Sequence, residues 1–322
     1  MKTTVVIPNF NGIDYLKNCI QSLEEEKDHK FAVCVVDNGS KDGSVLWLQT
    51  YHPEIKLIAL KENTGFCHAV NLGIKNSDTE YVLLLNNDTV VLQGFVKALE
   101  QSIEESKDIF SVSAKMIDMN GKILLDGAGD LYCALGWAFA RGKGKNAAAI
   151  YNEKEEIFSS CGGAAIYRKK ILDEIGYFDE NHFAYLEDCD IGYRARIYGY
   201  RNYYEPKARV YHAGSAVSGS RHNEFKVRLS AKNSIYLIYK NMPFFQILIN
   251  LPFLIPGFCI KYFFFLKKGL GKAYLEGIRM GFSLCKKQEG RKHKVKFSFS
   301  HLPAYCKIQG MLWMNTWKRF TA

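Results

Sequence analysis

Proline is scarce in this chain, with 7 prolines among 322 residues, whereas the 26 glycines are an ordinary number and 48% of the residues are hydrophobic. This composition excludes a disordered chain and a collagen, because enough apolar side chains are present to bury a sizeable core. The 9 cysteines include no CxxC pair, so the sequence predicts neither a zinc ribbon nor a disulfide framework. We therefore expect a globular protein in a reducing compartment.

A signal-peptide pattern is also missing at the amino terminus. The apolar run at residues 5–7 ends at Pro8, and it is far shorter than the apolar region that a signal peptide requires. The first domain is therefore expected to stay in the cytosol.

Acidic residues are rare in the last third of the chain. Residues 221–322 contain 19 Lys and Arg but only 3 Asp and Glu, a net charge of +16. Residues 1–220 contain 24 Lys and Arg and 30 Asp and Glu, a net charge of −6. The overall charge of +10 is therefore the sum of two regions of opposite charge, and we expect the boundary between them near residue 220. A basic region of this kind has three common partners: nucleic acid, an anionic membrane and an acidic substrate.

Short apolar runs alternate with helical patterns along the first region. Strands are predicted at 5–7, 31–36, 55–60, 81–85 and 209–212, and helices at 13–23, 69–74 and 188–198. Such alternation indicates an α/β fold with a parallel sheet, whose ligands bind at the carboxyl ends of the strands. Residues 111–151 have weak periodicity, and irregular or short antiparallel structure is expected there.

The second region contains an uncharged stretch at 242–260, which approaches the length of a membrane span. Four residues interrupt this stretch, namely Gln246, Asn250, Pro252 and Pro256. An interfacial or re-entrant element is therefore favoured over a straight transmembrane helix, and a proline-kinked core helix of a soluble bundle is the remaining alternative.

Aromatic clusters at 262–265, Trp313 and Trp317 are interleaved with lysines in the same region. An anionic membrane surface attracts segments of this composition. Nucleic-acid binding is the rival interpretation, but the region has no recognised nucleic-acid module and that interpretation leaves the apolar stretch unexplained. We predict a helical, membrane-associating region over 221–322 and no nucleic-acid partner.

Four carboxylates lie where predicted strands end or a helix begins: Asp37, Asp88, Glu187 and Asp188. A carboxylate in such a crevice stays ionised only where a cation, a hydrogen-bond donor or a metal compensates it. For each one taken alone, turn formation is the alternative, since the surrounding sequences are also turn-forming.

Taken together, the motifs resemble one family. They are VVIPNFNG at 5–12, VVDNGSKDGS at 35–44, NTGF at 63–66, LLNND at 84–88, GGAAIYR at 162–168, FAYLEDCD at 183–190 and VYH at 210–212. In order and spacing they are similar to the family 2 glycosyltransferases of GT-A fold, and most to the rhamnosyltransferase-type branch. The resemblance covers roughly residues 3–240. It implies a Rossmann-like, mixed and mostly parallel sheet flanked by helices, with a nucleotide-sugar half at about 1–110 and an acceptor half at about 111–220.

The resemblance implies that the donor is a nucleoside diphosphate sugar, with a dTDP- or UDP-sugar expected. The residues that it assigns to the donor are Pro8, Asn9, Asp37, Asn63, Gly65, Asn71 and Asn87. Asp37 is expected to accept a hydrogen bond from the nucleoside. Turn and cap roles are the alternative for Asn63 and Asn71.

The residues at 86–88 stand where the family has its DxD-type motif, with Asn86 in place of the first acid. The resemblance implies that Asp88 binds Mg²⁺ or Mn²⁺ together with the donor diphosphate. His212 matches a metal ligand of some relatives, and a structural role is the alternative. With one carboxylate, metal affinity in the absence of donor is expected to be weak.

For catalysis, the resemblance assigns Asp188 as the base that takes the proton of the attacking hydroxyl. Glu187 is expected to raise the pKa of Asp188 by like-charge repulsion and to orient the acceptor or its loop. Gly162 and Gly163 would form the floor of the acceptor subsite, with Tyr185 stacking on a sugar or, alternatively, packing in the core. Three arginines would stabilise the departing diphosphate or, alternatively, lie on a solvated surface: Arg194, Arg196 and Arg201.

We therefore expect an inverting, metal-dependent glycosyltransferase that moves a sugar, with rhamnose as a candidate, to a hydroxyl of a glycan or polyprenyl-diphosphate-linked glycan in cell-surface polysaccharide synthesis. The expected location is the cytoplasmic face of the inner membrane, with peripheral or monotopic attachment, and the oligomeric state is left open. The alternative is a non-catalytic, membrane-associated glycan-binding or scaffold protein on a degenerate transferase fold.

Overall fold

The computed structural model describes residues 1–27, 29–121, 123–214 and 222–321. The strands are β1 (Thr3–Asn9), β2 (Ala32–Asp37), β3 (Lys56–Ala59), β4 (Tyr81–Leu85), β5 (Thr89–Val91), β6 (Ile109–Asp118), β7 (Leu125–Gly127), β8 (Asp130–Tyr132), β9 (Ala138–Ala140), β10 (Glu155–Ile157), β11 (Ala164–Arg168) and β12 (Arg201–His212). The α-helices are α1 (Ile13–Glu24), α2 (Ser44–Tyr51), α3 (Phe66–Lys75), α4 (Phe95–Glu104), α5 (Lys169–Ile175), α6 (Glu187–Ile197), α7 (Glu224–Asn241), α8 (Phe244–Lys267), α9 (Gly271–Lys286), α10 (Gln288–Lys292) and α11 (Leu302–Thr321). Two short 3-10 helices lie at Glu180–His182 and Phe299–His301.

Ten strands form one mixed sheet in the order β10-β12-β6-β11-β4-β1-β2-β3, with β5 paired to β12 and β7 to β6. Strands β4, β1, β2 and β3 run parallel, as do β6 and β12. Strand β11 runs antiparallel between β4 and β6. Helices flank the sheet, and the predicted α/β architecture with a mixed sheet is confirmed.

Strand β4 lies at the centre of the sheet and is buried on both faces. Leu83 and Leu85 pack in the layer that contains α1 and α4, whereas Val82 and Leu84 pack in the layer that contains α3 and α5. The alternation follows from the two-residue period of a strand. Because both faces are covered, the sequence of β4 is continuously apolar.

Strand β6 differs from the prediction, since it spans ten residues where the sequence indicates irregular or short antiparallel structure. Three polar residues interrupt its apolar pattern, namely Ser111, Ser113 and Lys115, yet all three are buried. The hydroxyl of Ser111 donates a hydrogen bond to Asn202 Oδ1 at 2.7 Å, which offsets its burial. The prediction of short antiparallel strands is right for β7, β8 and β9.

The C-terminal region is helical, as predicted, and packs against the sheet-containing part of the chain. The ammonium of Lys240 on α7 lies 2.8 Å from both Asp179 and Asp190, and all three side chains are buried. Asn241 also donates a hydrogen bond to Asp190 at 2.8 Å. The boundary expected at residues 220 and 221 lies outside the described residues, so the division into two domains stays a prediction.

Helix α8 is continuous over 24 residues, although the sequence suggests that Pro252 and Pro256 interrupt it. A proline removes one backbone hydrogen bond and bends a helix without necessarily ending it. Among the described helices, α8 is the one long and apolar enough to cross a membrane, with a mean hydropathy of 1.7, and most of its residues are not buried. Its few buried residues are mostly polar or small: Gln246, Asn250, Leu254 and Gly257.

Candidate active site

A cavity of about 1060 Å³ opens at the carboxyl ends of β1, β2 and β4. The predicted site residues that line it are Pro8, Asn9, Asn63, Gly65, Asn87, Asp88, Gly163, Tyr185, Glu187, Asp188 and His212. Three predicted site residues lie outside its lining: Asp37, Asn71 and Gly162. Parallel strands present ligand-binding residues at this edge of an α/β sheet, so the cavity is where the topology predicts a site.

Asn9, at the end of β1, links two neighbouring segments. Its Nδ2 donates a hydrogen bond to Asp37 Oδ2 at 2.8 Å, and its Oδ1 accepts one from Asn87 Nδ2 at 2.7 Å. Asp37 is fully buried and also accepts a hydrogen bond from the backbone N–H of Ser40 at 2.8 Å. Asp37 therefore lies behind the cavity wall and orients Asn9, and its direct contact with a nucleoside stays a prediction.

Asn38, which the sequence analysis does not single out, organises the loop that carries Asn63 and Gly65. Its Nδ2 donates hydrogen bonds to Asn63 Oδ1 and to the carbonyl of Gly65, both at 3.1 Å. Its Oδ1 accepts a hydrogen bond from the backbone N–H of Thr64 at 2.9 Å. Asn63 and Gly65 are thereby held at the cavity. The sequence feature that could have identified Asn38 as a site residue is its position within the motif at 35–44.

Asn71 connects α3 to the chain that follows α5. Its Nδ2 donates hydrogen bonds to the carbonyl of Phe178 at 2.8 Å and to Glu180 Oε1 at 3.0 Å. Its Oδ1 accepts a hydrogen bond from the backbone N–H of Phe178 at 3.1 Å. These contacts occupy the amide in a structural role, and contact with a donor stays a prediction.

Strands β5 and β12 bring Asp88 and His212 together. In their antiparallel register Thr89 pairs with His212, and His212 Nε2 lies 3.2 Å from Asp88 Oδ1. On the other side of the ring, Nδ1 lies 2.8 Å from Asp126 Oδ2. Burial alone would lower the pKa of His212, but the hydrogen bonds with Asp126 and Asp88 outweigh burial and raise that pKa to about 9.

The groups at this end of the cavity suit a hard divalent cation. A carboxylate oxygen of Asp88 and an imidazole nitrogen of His212 face each other, and a cation would replace the ring proton between them. Asp126 holds the opposite ring nitrogen, as carboxylates do behind histidines that bind metals. The sequence analysis misses Asp126, because it lies in the weakly periodic segment 111–151.

Asp188 stands with Glu187 at the start of α6, and its Oδ1 accepts a hydrogen bond from the backbone N–H of Gly162 at 2.9 Å. Burial, followed by the charges of Glu187 and Asp130, raises the pKa of Asp188 well above its usual range. Burial also raises the pKa of Glu187 to about 7. The expected repulsion by Glu187 is present, but burial is the larger cause.

Asp130 is a third carboxylic acid near the proposed base, and the sequence analysis does not identify it. Oxygens of Asp130 and Asp188 and the sulfur of Cys161 all lie within 4.8 Å of one another. Burial, followed by the charge of Asp126, raises the pKa of Asp130 to about 7. Like charges so close in a poorly hydrated pocket disfavour full ionisation, so the carboxyl groups titrate as a coupled set.

The loop before α6 has a strained backbone. The φ angles are 66° at Phe183, 70° at Tyr185 and 67° at Leu186, in a region that residues with side chains rarely adopt. Each such residue costs roughly 1–3 kcal/mol. Asn233 of α7 is fully buried, and its Nδ2 lies 2.7–2.9 Å from the carbonyls of residues 182, 184 and 185. The C-terminal region therefore holds the loop that presents Tyr185 to the cavity.

Gly162 and Gly163 stand where a side chain would collide with site residues. A Cβ at Gly162 would lie 2.7 Å from Asp188 Oδ1, and one at Gly163 would lie 3.1 Å from Asn86 Nδ2. The close approach of Asp188 and Asn86 thus explains both glycines. Their predicted role as a floor for an acceptor sugar stays a prediction.

The three arginines considered for the diphosphate lie in structural contacts. Arg194 donates hydrogen bonds to Asp190 and to backbone carbonyls at 175–177. Arg196 pairs with Glu156 at 2.8 Å, and Arg201 pairs with Asp108 at 2.6 Å. Arg194 and Arg196 are buried, so neither lies on a solvated surface. None of the three lines the cavity.

Comparison with known proteins gives a consistent assignment. The model of glycosyl transferase family 2 matches residues 4–176, which is 173 of the 322 residues. An uncharacterized glycosyltransferase of Bacillus subtilis, YwdF, is 26% identical over 244 residues, covering 73% of this chain and 85% of its own length. The N-acetylglucosaminyl-diphospho-decaprenol L-rhamnosyltransferase of Mycobacterium tuberculosis is 24% identical over 229 residues, covering 65% of this chain and 75% of its own.

Among solved structures, the mannosyltransferase PcManGT from Pyrobaculum calidifontis, in complex with GDP-Man and Mn²⁺, superimposes with a TM-score of 0.54. It covers 96% of this chain and 86% of its own at 16% identity, which is evidence for a shared fold. The GT-A fold and the enzyme class expected from the motifs are confirmed. The chain belongs to glycosyl transferase family 2, and it is a glycosyltransferase.

Proposed function

We propose that this enzyme transfers a sugar from a nucleoside diphosphate donor to a hydroxyl of a glycan carried by a polyprenyl diphosphate, in the synthesis of a cell-surface polysaccharide. The main support for this proposal is the arrangement of the site residues. A single cavity contains Asp88 and His212 near the ends of β4 and β12, and Asp188 at the start of α6. The name of the mycobacterial relative, a rhamnosyltransferase for a diphospho-decaprenol acceptor, supports this acceptor class and makes rhamnose the first sugar to test.

The donor lies along the loops that follow β1, β2 and β4. Asn9, Asn38 and Asn87 provide amide groups already ordered by hydrogen bonds among neighbouring residues. Such a preorganised polar wall can bind a nucleoside without first reordering side chains. Asn63 and Gly65 complete the nucleoside side, and the donor is a dTDP- or UDP-sugar.

Mg²⁺ or Mn²⁺ would be held by Asp88 and His212, with Asp126 orienting the imidazole. When bound, such a cation supplies positive charge that stabilises the departing diphosphate. The Mn²⁺ in the complex of the mannosyltransferase from Pyrobaculum calidifontis supports the use of a divalent cation. Because Asn86 replaces one acid of the motif, binding of the metal depends strongly on Asp88.

Asp188 acts as the general base. It takes the proton of the acceptor hydroxyl while the hydroxyl oxygen bonds to the anomeric carbon and the bond to the diphosphate oxygen breaks. This single displacement inverts the anomeric configuration. The N–H of Gly162 fixes one oxygen of Asp188, which leaves the other for the acceptor. The raised pKa makes the ionised carboxylate a stronger proton acceptor.

The enzyme attaches to an anionic membrane at the cytoplasmic face. The outer surface of α8 exposes Phe244, Leu248, Ile255 and Phe263, each at 50% or more of its area. An apolar outer face beside basic residues is typical of an interfacial membrane element. The weak burial of α8 argues against the alternative of a core helix in a soluble bundle.

Thermal unfolding with nucleotide sugars tests the proposed donor and metal. Saturating dTDP-rhamnose or UDP-sugar with Mn²⁺ should stabilise the folded state by about 2.7 kcal/mol at a hundredfold excess over Kd. Asp88→Asn should lose the metal-dependent part of this stabilisation, whereas Asp78→Asn, an exposed acid before β4, should keep it. A response to UDP-hexoses alone would refute rhamnose, and no response to any nucleotide sugar would refute the proposed donor.

A further inference from the structure

The cavity continues beyond the proposed base toward the C-terminal helices. Past Asp188, its lining includes Trp137 and, from α8 and α11, Ile260, Lys261 and Arg319. The same cavity is therefore lined both by predicted acceptor residues, such as Gly163 and Tyr185, and by residues of α8. The part beyond Asp188 contains none of the residues assigned to the donor or the metal.

Lys261 is a partly buried cation, and no carboxylate of the described residues forms an ion pair with it. Within the described parts of the chain its ammonium makes no hydrogen bond, and it lies over the ring of Trp137, 5.6 Å from the ring centroid. Burial, with the nearby charge of Arg319, lowers the pKa of Lys261 to about 8. Buried charges in proteins are usually paired, so an anionic ligand at this wall would compensate the charge of Lys261 and favour its protonated form.

Arg319 is the second cation at this wall, and its guanidinium lies over the ring of Phe139 at 5.5 Å. It makes no ion pair with any residue that the structure describes. Two neighbouring cations repel each other, so their placement at one cavity favours a ligand that carries more than one negative charge. A diphosphate meets that requirement, and the guanidinium can bind two of its oxygens at once.

The apolar surface begins next to Lys261. Ile260 is 50% exposed, and Phe263 and Phe264 are 58% and 44% exposed on the following turn. A ligand bound to Lys261 through a diphosphate could therefore extend a hydrocarbon chain along α8 without crossing polar surface. In the opposite direction, the same cavity leads from Lys261 to Asp188.

We propose that Lys261 and Arg319 bind the diphosphate of a polyisoprenyl-diphosphate-linked glycan, with the isoprenoid chain on the outer surface of α8 and the glycan directed to Asp188. The inference rests on the proposed function, because it concerns the acceptor of the same reaction. It assigns the acceptor diphosphate to a subsite separate from that of the donor diphosphate at Asp88. The enzyme would thus recognise the lipid carrier as well as the sugar.

Binding of the full-length chain to vesicles tests the subsite without requiring turnover. The test vesicles contain phosphatidylcholine with a small fraction of polyisoprenyl diphosphate. In two comparison sets, polyisoprenol or phosphatidylglycerol replaces the polyisoprenyl diphosphate in the vesicles. In a third set, inorganic diphosphate is added in solution. Lys261→Gln and Arg319→Gln should each weaken binding to the polyisoprenyl diphosphate vesicles by about tenfold to hundredfold, as expected for loss of a charged hydrogen bond. Lys261→Arg should restore most of it.

Lys267→Gln is the matched control, because Lys267 is an exposed cation on the same helix that does not line the cavity. It should leave diphosphate binding within about twofold of wild type. Stabilisation by the nucleotide sugar with Mn²⁺ should be unchanged in every variant, which separates this inference from the proposed donor site.

The inference would be overturned if the double variant Lys261→Gln/Arg319→Gln bound polyisoprenyl diphosphate vesicles as tightly as wild type does. That result would leave the proposed function intact. An equal preference for phosphatidylglycerol would also overturn the inference, since the cations would then serve a general lipid headgroup. Loss of donor stabilisation in the wild type would instead contradict the proposed function itself.

Discussion

The sheet-containing part of the chain, residues 1–214, and the helix α8 have opposite distributions of polarity. In the sheet-containing part, apolar side chains such as Leu83 and Val82 fill the core and polar groups line one cavity. In α8 the apolar side chains face outward, and the inward face carries Gln246 and Asn250. These amides form hydrogen bonds of 3.1 and 2.8 Å with Gln309 Oε1 on α11.

This contrast is the basis of the proposed membrane attachment of α8. A water-soluble helix buries its apolar face, whereas a helix surrounded by lipid gains little from doing so and packs through small or polar groups. The inward amides of α8 are satisfied within the protein, and its exposed apolar face is consistent with the proposed membrane attachment. Residues of both regions line the cavity, as the proposed transfer from a water-soluble donor to a lipid-bound acceptor requires.

A buried ion cluster joins α7 of the C-terminal region to the sheet-containing part of the chain through Lys240, Asp179 and Asp190. Burial alone would raise the pKa of Asp179, but Lys240 outweighs it and holds that pKa at about 2. Lys240 and Arg194 likewise hold the pKa of Asp190 well below its usual range against the effect of burial. The C-terminal region is thus electrostatically tied to the segment that begins α6.

Lys240→Met should cost about 3–5 kcal/mol of unfolding free energy, because it removes the ammonium that pairs with buried Asp179 and leaves Asp190 with Arg194 as its remaining close cation. Lowered carboxyl pKa values stabilise the fold above the unfolded value near 4, and this contribution is lost as pH falls through about 2. Wild type should therefore lose stability between about pH 4 and 2. In the Lys240→Met variant, this part of the acid sensitivity should be smaller. Urea unfolding at pH 7 and pH 3 measures both effects.

Lys286→Met, at the exposed end of α9, is the control for this substitution and should change stability by less than about 0.5 kcal/mol. A single unfolding transition is expected, since the cluster couples both regions. Two separate transitions in the wild type, with only one affected by Lys240→Met, would show that the regions fold independently.

Charged substitutions on the exposed apolar face of α8 should have a smaller energetic effect than Lys240→Met, and this effect should be on membrane binding. Leu251→Glu with Ile255→Glu places two charges on residues that are 41% and 57% exposed. Each should reduce membrane-binding free energy by about 1–2 kcal/mol, without destabilising the protein in water. Sedimentation with anionic vesicles measures the loss. Leu46→Glu on α2, where Leu46 is 69% exposed, is the matched control in the sheet-containing part.

Retained sedimentation of the double glutamate variant would contradict membrane attachment through α8. Loss of sedimentation in Leu46→Glu would also count against it, because binding would then depend on exposed apolar area anywhere on the protein.

The sequence predicts the central part of the fold and much of the cavity. The strand-helix alternation gives the order of β1 to β4, and the polar clusters after these strands identify Asn9 and Asp88 at the cavity. These predictions succeed because the period of two, the period of 3.6 and turn chemistry are local properties. Asp188 is recognised through its motif, and its role stays a prediction.

Other parts depend on contacts that are distant in sequence. Asp126 and Asp130 lie on short strands whose positions are set by pairing, so no periodic pattern marks them. Asn233 is a buried amide on a helix with many polar residues, so its sequence context does not distinguish it. Its role becomes visible in the structure, where it donates a hydrogen bond to the carbonyl of Tyr185 in the strained loop. The polarity of α8 is ambiguous in sequence, because the same composition suits a buried helix and a lipid-facing one.

The most direct measurement is the rate of sugar transfer by wild type and Asp188→Asn, with the donor that stabilises the protein and a polyisoprenyl-diphosphate-linked acceptor in vesicles. Asparagine retains the oxygen that accepts from Gly162 but cannot take a proton. We predict a fall in kcat of about 10²–10⁴-fold for Asp188→Asn, unchanged stabilisation by donor, and little change for Asp78→Asn. Turnover by Asp188→Asn equal to that of wild type would contradict the proposed base.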